Sequence, residues 1–175
     1  MPDNKGNLYL YEAIELRSEY DRHISLLAGL MGESSKKRGL FKDDDEDKEP
    51  AADFDQKKTN EELKKLQTRR IKLNQEIQKT NFDTQVEYKG EKVSIAEALE
   101  IRKNLLVEVK TYSERVEKSS SKRVIHKEGR DIVQEPRHRF SETYNEYQEC
   151  IQQLRQLVNR IHAINHMATV SFKNE

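Results

Sequence analysis

The 175-residue chain is long enough for one domain or a compact pair of small repeats, but not for two large independent domains. Its 32 Lys and Arg offset its 32 Asp and Glu, so a uniformly basic nucleic-acid-binding domain is excluded, and the single cysteine, Cys150, cannot close an intramolecular disulfide. Six Gly, three Pro and a charged share of 37%, against roughly 25% in an average globular chain, favour long helices with narrow apolar stripes.

The first predicted helix runs from about Leu10 to Met31, with Leu10, Ala13/Ile14, Tyr20, Ile24, Leu27 and Met31 on one side and Gly29 and Gly32 weakening its end. An acidic stretch follows: from Asp43 to Asp55 eight acids face one base, Lys48, a local charge of −7 that leaves +7 on the remaining 162 residues. With Pro50 and little apolar content, residues 35–56 read as a solvated, flexible loop. Asp43-x-Asp45-x-Asp47 imitates the start of an EF-hand loop, but Lys48 and Phe54 stand where Gly and Glu are required, which argues against calcium.

The second helix, about Thr59 to Phe82, carries Leu63, Leu66, Ile71, Leu73 and Ile77 and is the most polar of the four. Gln85–Tyr88 and Glu91–Val93 flank Lys89-Gly90 as a hairpin whose Gly accepts a positive φ. Ser94-Ile95-Ala96-Glu97 is a capping box opening the third helix, with Ile95, Ala98/Leu99, Leu105/Leu106, Val109, Tyr112 and Val116 as its stripe. A second hairpin, Arg123–His126 with Asp131–Val133 about Gly129, lies in a basic insertion at 118–135. After Pro136 comes a helix in which Phe140, Tyr144, Tyr147, Ile151, Leu154, Val158 and Ile161 form a heptad seam, predicted to pack lengthwise against another helix and to carry self-association.

The chain repeats itself. Leu10–Arg17 matches Ile95–Arg102 at an offset of 85, with Glu, Ala, Glu and Arg identical, and Ile77, Asn81 and Val86 match Ile161, Asn165 and Val170 at 84. The expected architecture is therefore mainly α: a single domain of two repeats, about 5–88 and 89–173, forming a four-long-helix bundle with short β-hairpins about a pseudo-twofold. Lys5-Gly6 matches Lys89-Gly90 at 84, so Val170–Phe172 is expected beside Asn7–Tyr9, reproducing the central hairpin at the chain ends.

Repetition also sets polar residues on apolar stripes. Arg17 and Arg102 each fall between stripe positions, Asn81 and Asn165 extend the stripes past Ile77 and Ile161, and Glu12, Glu97 and Asp21 are the carboxylates in reach. Two readings stand open. Glu12, Glu97, Asn81 and Asn165 join the arginines in a structural network that fixes helix register, or the two Arg forks bind a phosphate or carboxylate.

The Glu-Ala-x-x-x-Arg runs at Glu12 and Glu97, Thr80-Asn81-x-x-Thr84 followed by Gly90, and the terminal Ile161-x-x-x-Asn165 together resemble a family of small bacterial helical proteins, some labelled septicolysin. The resemblance covers nearly the whole chain outside the acidic stretch and departs from the family at His166 and Ala168. It implies a soluble helical fold that self-associates, and it brings no established activity. No amphipathic or apolar insertion segment supports a cytolysin.

For chemistry the sequence offers little. His162 and His166 have metal-sharing spacing but lack the intervening Glu of a zinc-protease motif and any evident third ligand, so no metal or cofactor is expected. Cys150 reads as a small core residue. No nucleophile elbow, phosphate loop or dinucleotide fingerprint occurs, so a non-enzymatic role is favoured. Lys118–Arg139 holds seven Lys and Arg against three acids, nominating Arg123, His126, Lys127, Arg130, Arg137 and Arg139, beside Arg17 and Arg102, as binders of a small, nucleotide-like anion. The same stretch also reads as a solvated arm, and its lack of interleaved aromatics argues against nucleic acid. No run reaches the about 18 apolar residues of a membrane span, and Met1–Gly6 has no signal-type apolar region, so a cytoplasmic homo-oligomer is expected. A structural or protein-interaction scaffold without a small-molecule ligand is the alternative.

Overall fold

A computed structural model describes residues 6–35, 54–127 and 129–173, and in it the chain is mainly helical. In chain order the elements are β1 (Asn7–Tyr9), α1 (Leu10–Ser35), α2 (Gln56–Asp83), β2 (Gln85–Tyr88), β3 (Glu91–Ser94), α3 (Ile95–Ser119), β4 (Arg123–Lys127), β5 (Arg130–Gln134), α4 (Phe140–Asn165) and β6 (Thr169–Ser171). They fall into two compact units, one of the residues up to Thr80 together with those from His166 onward, the other Asn81–Asn165. No helix among the described residues is long and apolar enough to cross a membrane.

In the first unit, β1 and β6 pair antiparallel in the expected place, Asn7 with Ser171, Leu8 with Val170 and Tyr9 with Thr169. Gly6, at φ +108°, turns the chain into this ladder, where its carbonyl accepts from the Phe172 N–H at 3.0 Å. Val170 and Leu10 are fully buried there. The helices α1 and α2 run antiparallel, bridged by Arg17 to Asn74 and by Arg70 to Asp21. Their buried residues keep seven-residue spacing, Ala13, Tyr20 and Leu27 on one helix and Leu66 and Leu73 on the other, with Ile77 beside them. Ile71, assigned to the stripe from sequence, points away and is 55% exposed. Both helices outrun the predicted limits: α1 continues through Gly29 to Ser35, and α2 starts at Gln56 because Asp55 Oδ1 accepts from the N–H groups of Lys57 and Lys58. Asp55 thus leaves the acidic loop to cap a helix; the rest of that loop, 36–53, lies outside the described residues.

In the second unit, β2 and β3 form the predicted hairpin with Lys89 and Gly90 both at positive φ, as a tight primed turn requires. The α3 N-terminus carries the full capping box: Glu97 N–H donates to Ser94 Oγ at 3.1 Å, and Glu97 Oε2 accepts from the Ser94 N–H at 2.7 Å and its hydroxyl at 2.9 Å. The two sheets meet their helices in the same way. Leu10 N–H donates to the Ala168 carbonyl at 2.8 Å and Ile95 N–H to Thr84 at 2.9 Å, while Tyr9 N–H donates to Glu12 as Ser94 N–H does to Glu97.

The hydrogen bonds from Ser94 hold the Glu97 carboxyl below its ordinary pKa. A carboxyl depressed on folding contributes its stability fully above the unfolded value near 4.3 and loses it as pH falls through the folded one. Urea midpoints measured at neutral pH and again in acid are therefore expected to show a smaller acid loss for Glu97→Gln than for the parent chain. Ser94→Ala, which removes the cap, is expected to cost about 1 kcal/mol at neutral pH.

Helices α3 and α4 pack antiparallel along Ala98 and Leu105 of the one and Thr143, Cys150 and Leu157 of the other, again at intervals of seven. This corrects the sequence-derived seam by one position. Ile161 is buried on the packed side, but its centre is 143/150/157: Phe140 and Tyr144 are exposed, and Tyr147, Ile151, Leu154 and Val158 are half-exposed. The seam meets α3 of the same chain. Thr143 and Ser119 share a buried hydroxyl contact at 3.0 Å, and the Cys150 thiol lies 3.8 Å from the Leu105 carbonyl.

Candidate functional site

The arginines matched by the repeat part company. Arg17 is half-buried, with Nη1 donating to Asn74 Oδ1 at 3.0 Å, whereas Arg102 is exposed, so it is not on the packed stripe. The expected carboxylate partners are engaged elsewhere: Glu12 and Glu97 cap strand-to-helix junctions, and Asp21 Oδ1 accepts from Arg70 Nε at 2.9 Å. A carboxylate at the third helical position reaches back to its own N-terminus more readily than to a side chain one turn ahead. Asn81 is buried, and Asn165 carries a buried Oδ1 with no hydrogen-bond partner among the described residues. A common Arg–Glu–Asn network is therefore not present.

Cys150 is a core residue, as its position on α4 suggested; burial pushes its thiol pKa up, with Glu108 adding to the effect, so the nucleophilic thiolate is disfavoured. His162 is exposed on α4, and the His166 ring lies tilted against Tyr11 at 4.5 Å.

The basic hairpin forms with its first strand one residue longer and its second two residues longer than predicted, Arg123 facing Gln134, Ile125 facing Ile132 and Lys127 facing Arg130, and with Gly129 at φ +76°. Alternation puts Arg123, Ile125, Ile132 and Arg130 on one face and Val124, His126, Asp131 and Val133 on the other. On the second face His126 Nδ1 meets Asp131 Oδ1 at 2.6 Å; on the first, among the described residues, neither arginine has an ion-pair partner. Arg123 and Arg130 sit four residues apart along the ladder, about 13 Å at strand rise, too far to grip one phosphate between them. All four aliphatic side chains, Val124, Ile125, Ile132 and Val133, are 37–52% exposed. Arg137 is exposed, and Arg139 lies 3.6 Å from Glu142 in an exposed pair.

A basic cluster missed from sequence lies in the first unit. Lys64, Lys65, Arg69 and Lys72 of α2 line an open groove of about 450 Å³ with Phe172 and Lys173 from beyond β6. The signal was present as a run of cations at helical spacing, but its opposite wall comes from a segment a hundred residues away. A smaller cavity in the second unit, about 110 Å³ beside Tyr88, Lys89 and Arg160, falls below the roughly 300 Å³ of small-molecule sites.

No protein-family model and no curated protein matches this chain. A solved structure, that of a functionally unknown conserved protein from Corynebacterium diphtheriae, is similar over 94% of this chain and 99% of its own, with a TM-score of 0.71 and 25% identity. That likeness extends to the whole helical architecture and carries no activity with it.

Proposed function

We propose that this chain is a non-catalytic, cytoplasmic helical binding protein, made of two duplicated units, that self-associates and holds a small anionic ligand at basic sites completed between copies. The observation that carries the reading is the β4–β5 hairpin, which presents four β-branched residues on two uncovered faces and two arginines that have no carboxylate partner among the described residues. An isolated two-stranded hairpin is marginally stable in water, so a covering partner supplies what the chain alone does not. The same partner brings a second pair of arginines to bridge the gap of about 13 Å that one hairpin leaves open. Stacked Phe140 and Tyr144 at the start of α4, with ring centroids 5.7 Å apart, add exposed aromatic surface to the same unit. The matching sheet-to-helix junctions support the duplication, and the paired motifs support kinship with the septicolysin-labelled proteins.

Native mass spectrometry of freshly purified protein tests the reading. A dimer or larger assembly retaining a small anion is expected, with Ile125→Asp/Ile132→Asp giving monomer and Arg123→Ala/Arg130→Ala keeping the assembly but losing the anion. A bare monomer overturns the proposal. An assembly that never retains a small molecule favours a protein-interaction scaffold.

A further inference from the structure

The α2 groove belongs to the first unit and shares no residue with the hairpin. Lys65, Arg69 and Lys72 lie at i, i+4 and i+7 on one helix face, with Lys64 on its flank, so successive turns stack like charge on like charge. Like-charge pairs at this spacing destabilise a helix by a few tenths of a kcal/mol each, and an anion lying along the row would relieve them. Among the described residues none of Lys64, Lys65, Arg69, Lys72 and Lys173 makes an ion pair. The row from Lys65 to Lys72 spans about 10 Å at helical rise, which suits a short chain of phosphates and exceeds a single one.

The groove is also shaped and not merely charged. Strand alternation sets Phe172 on the same side as buried Val170, and half-buried Phe172 lines the groove together with the cations. The Lys173 stem lies over Gly6, so close that a Cβ added to Gly6 would come within 3.2 Å of Lys173 Cγ. Thr68, also on the wall, donates its hydroxyl to the Lys64 carbonyl at 2.9 Å, which leaves the cations as the anion-reading groups. Burial raises the Tyr20 hydroxyl pKa, and the Arg69 guanidinium opposes that rise.

We infer that this groove binds a nucleoside polyphosphate, with the phosphates along Lys64, Lys65, Arg69, Lys72 and Lys173 and the base against Phe172. Isothermal titration of the full chain at low salt with adenosine 5′-triphosphate, with inorganic tripolyphosphate and with adenosine tests it. Saturable binding of both phosphates is expected, the nucleotide about tenfold tighter because of base stacking, with none for adenosine. Lys65→Ala/Lys72→Ala is expected to weaken both phosphates at least about tenfold and flatten their salt dependence, while Phe172→Ala lowers nucleotide affinity to that of tripolyphosphate. Circular dichroism establishes that each variant is folded, and Phe172→Leu replaces Phe172→Ala if the smaller side chain unfolds the unit. Arg123→Ala/Arg130→Ala is expected to leave these affinities unchanged, which separates this site from the hairpin. Absence of phosphate binding, indifference to Lys65→Ala/Lys72→Ala, or equal affinity for nucleotide and tripolyphosphate overturns the inference. So does a single-stranded oligonucleotide that binds more than about tenfold tighter than the nucleotide, which would make the groove part of a nucleic-acid track.

Discussion

Val170→Asp is expected to destabilise the chain by about 3–5 kcal/mol, enough to unfold much of the population of a marginally stable domain. Val170 is 0% exposed at the centre of the β1–β6 ladder, opposite Leu8 and flanked by the hydrogen bonds Leu10 to Ala168 and Phe172 to Gly6. A carboxylate there would lose its hydration without gaining a cation, and an unpaired buried charge is among the few single changes that exceed the usual mutational range. Val170→Ala removes only apolar contact and is expected to cost about 2 kcal/mol. Thr169→Asp, one residue away with an exposed side chain, is expected to stay within about 0.5 kcal/mol of the parent. Urea unfolding followed by far-ultraviolet circular dichroism at neutral pH measures all three. Equal midpoints for Val170→Asp and Thr169→Asp would mean that the chain ends do not pair in solution.

Leu157→Ala is expected to cost about 3 kcal/mol, within the roughly 2–5 kcal/mol seen for leucines truncated in packed cores. Leu157 is 1% exposed on the side of α4 that meets α3, where a lost isobutyl group leaves a void lined by two rigid helices. Its neighbour Val158 stands on the seam as read from sequence but is half-exposed in the structure. Val158→Ala is therefore expected to cost less than about 1 kcal/mol. Measured as a pair, the two substitutions report the rotational phase of α4. Equal losses would restore the sequence-derived seam and overturn the packing described above.

The one-residue shift of that seam shows where the sequence runs out. Phe140, Tyr144, Tyr147, Ile151, Leu154, Val158 and Ile161 make an apolar arc wider than one neighbouring helix covers, so periodicity fixes the side of α4 but not the centre of contact. The centre falls on Thr143 and Cys150, whose small side chains let α3 come close, and a buried threonine adds no hydrophobic signal to the pattern. Ile71 on α2 misled for a related reason, since a helix this polar offers too few apolar residues to fix its phase.

Local chemistry, by contrast, was legible. The Ser94–Glu97 capping box, the Lys89-Gly90 turn, the Gly129 turn and the pairing of Asn7–Tyr9 with the chain end all follow from residues within one or two turns of each other, or from a repeat aligned with itself. Their interactions are short-range and demand particular side chains at particular offsets. Tertiary structure alone decided that Arg17 bonds Asn74 while Arg102 faces solvent, although the two hold matching positions when Leu10–Arg17 is aligned with Ile95–Arg102. It also decided that Phe172 and Lys173 complete a groove begun by Lys64–Lys72. A long cationic side chain donates to any acceptor within its reach, so its partner is set by which elements fold against it and not by its own position in the chain.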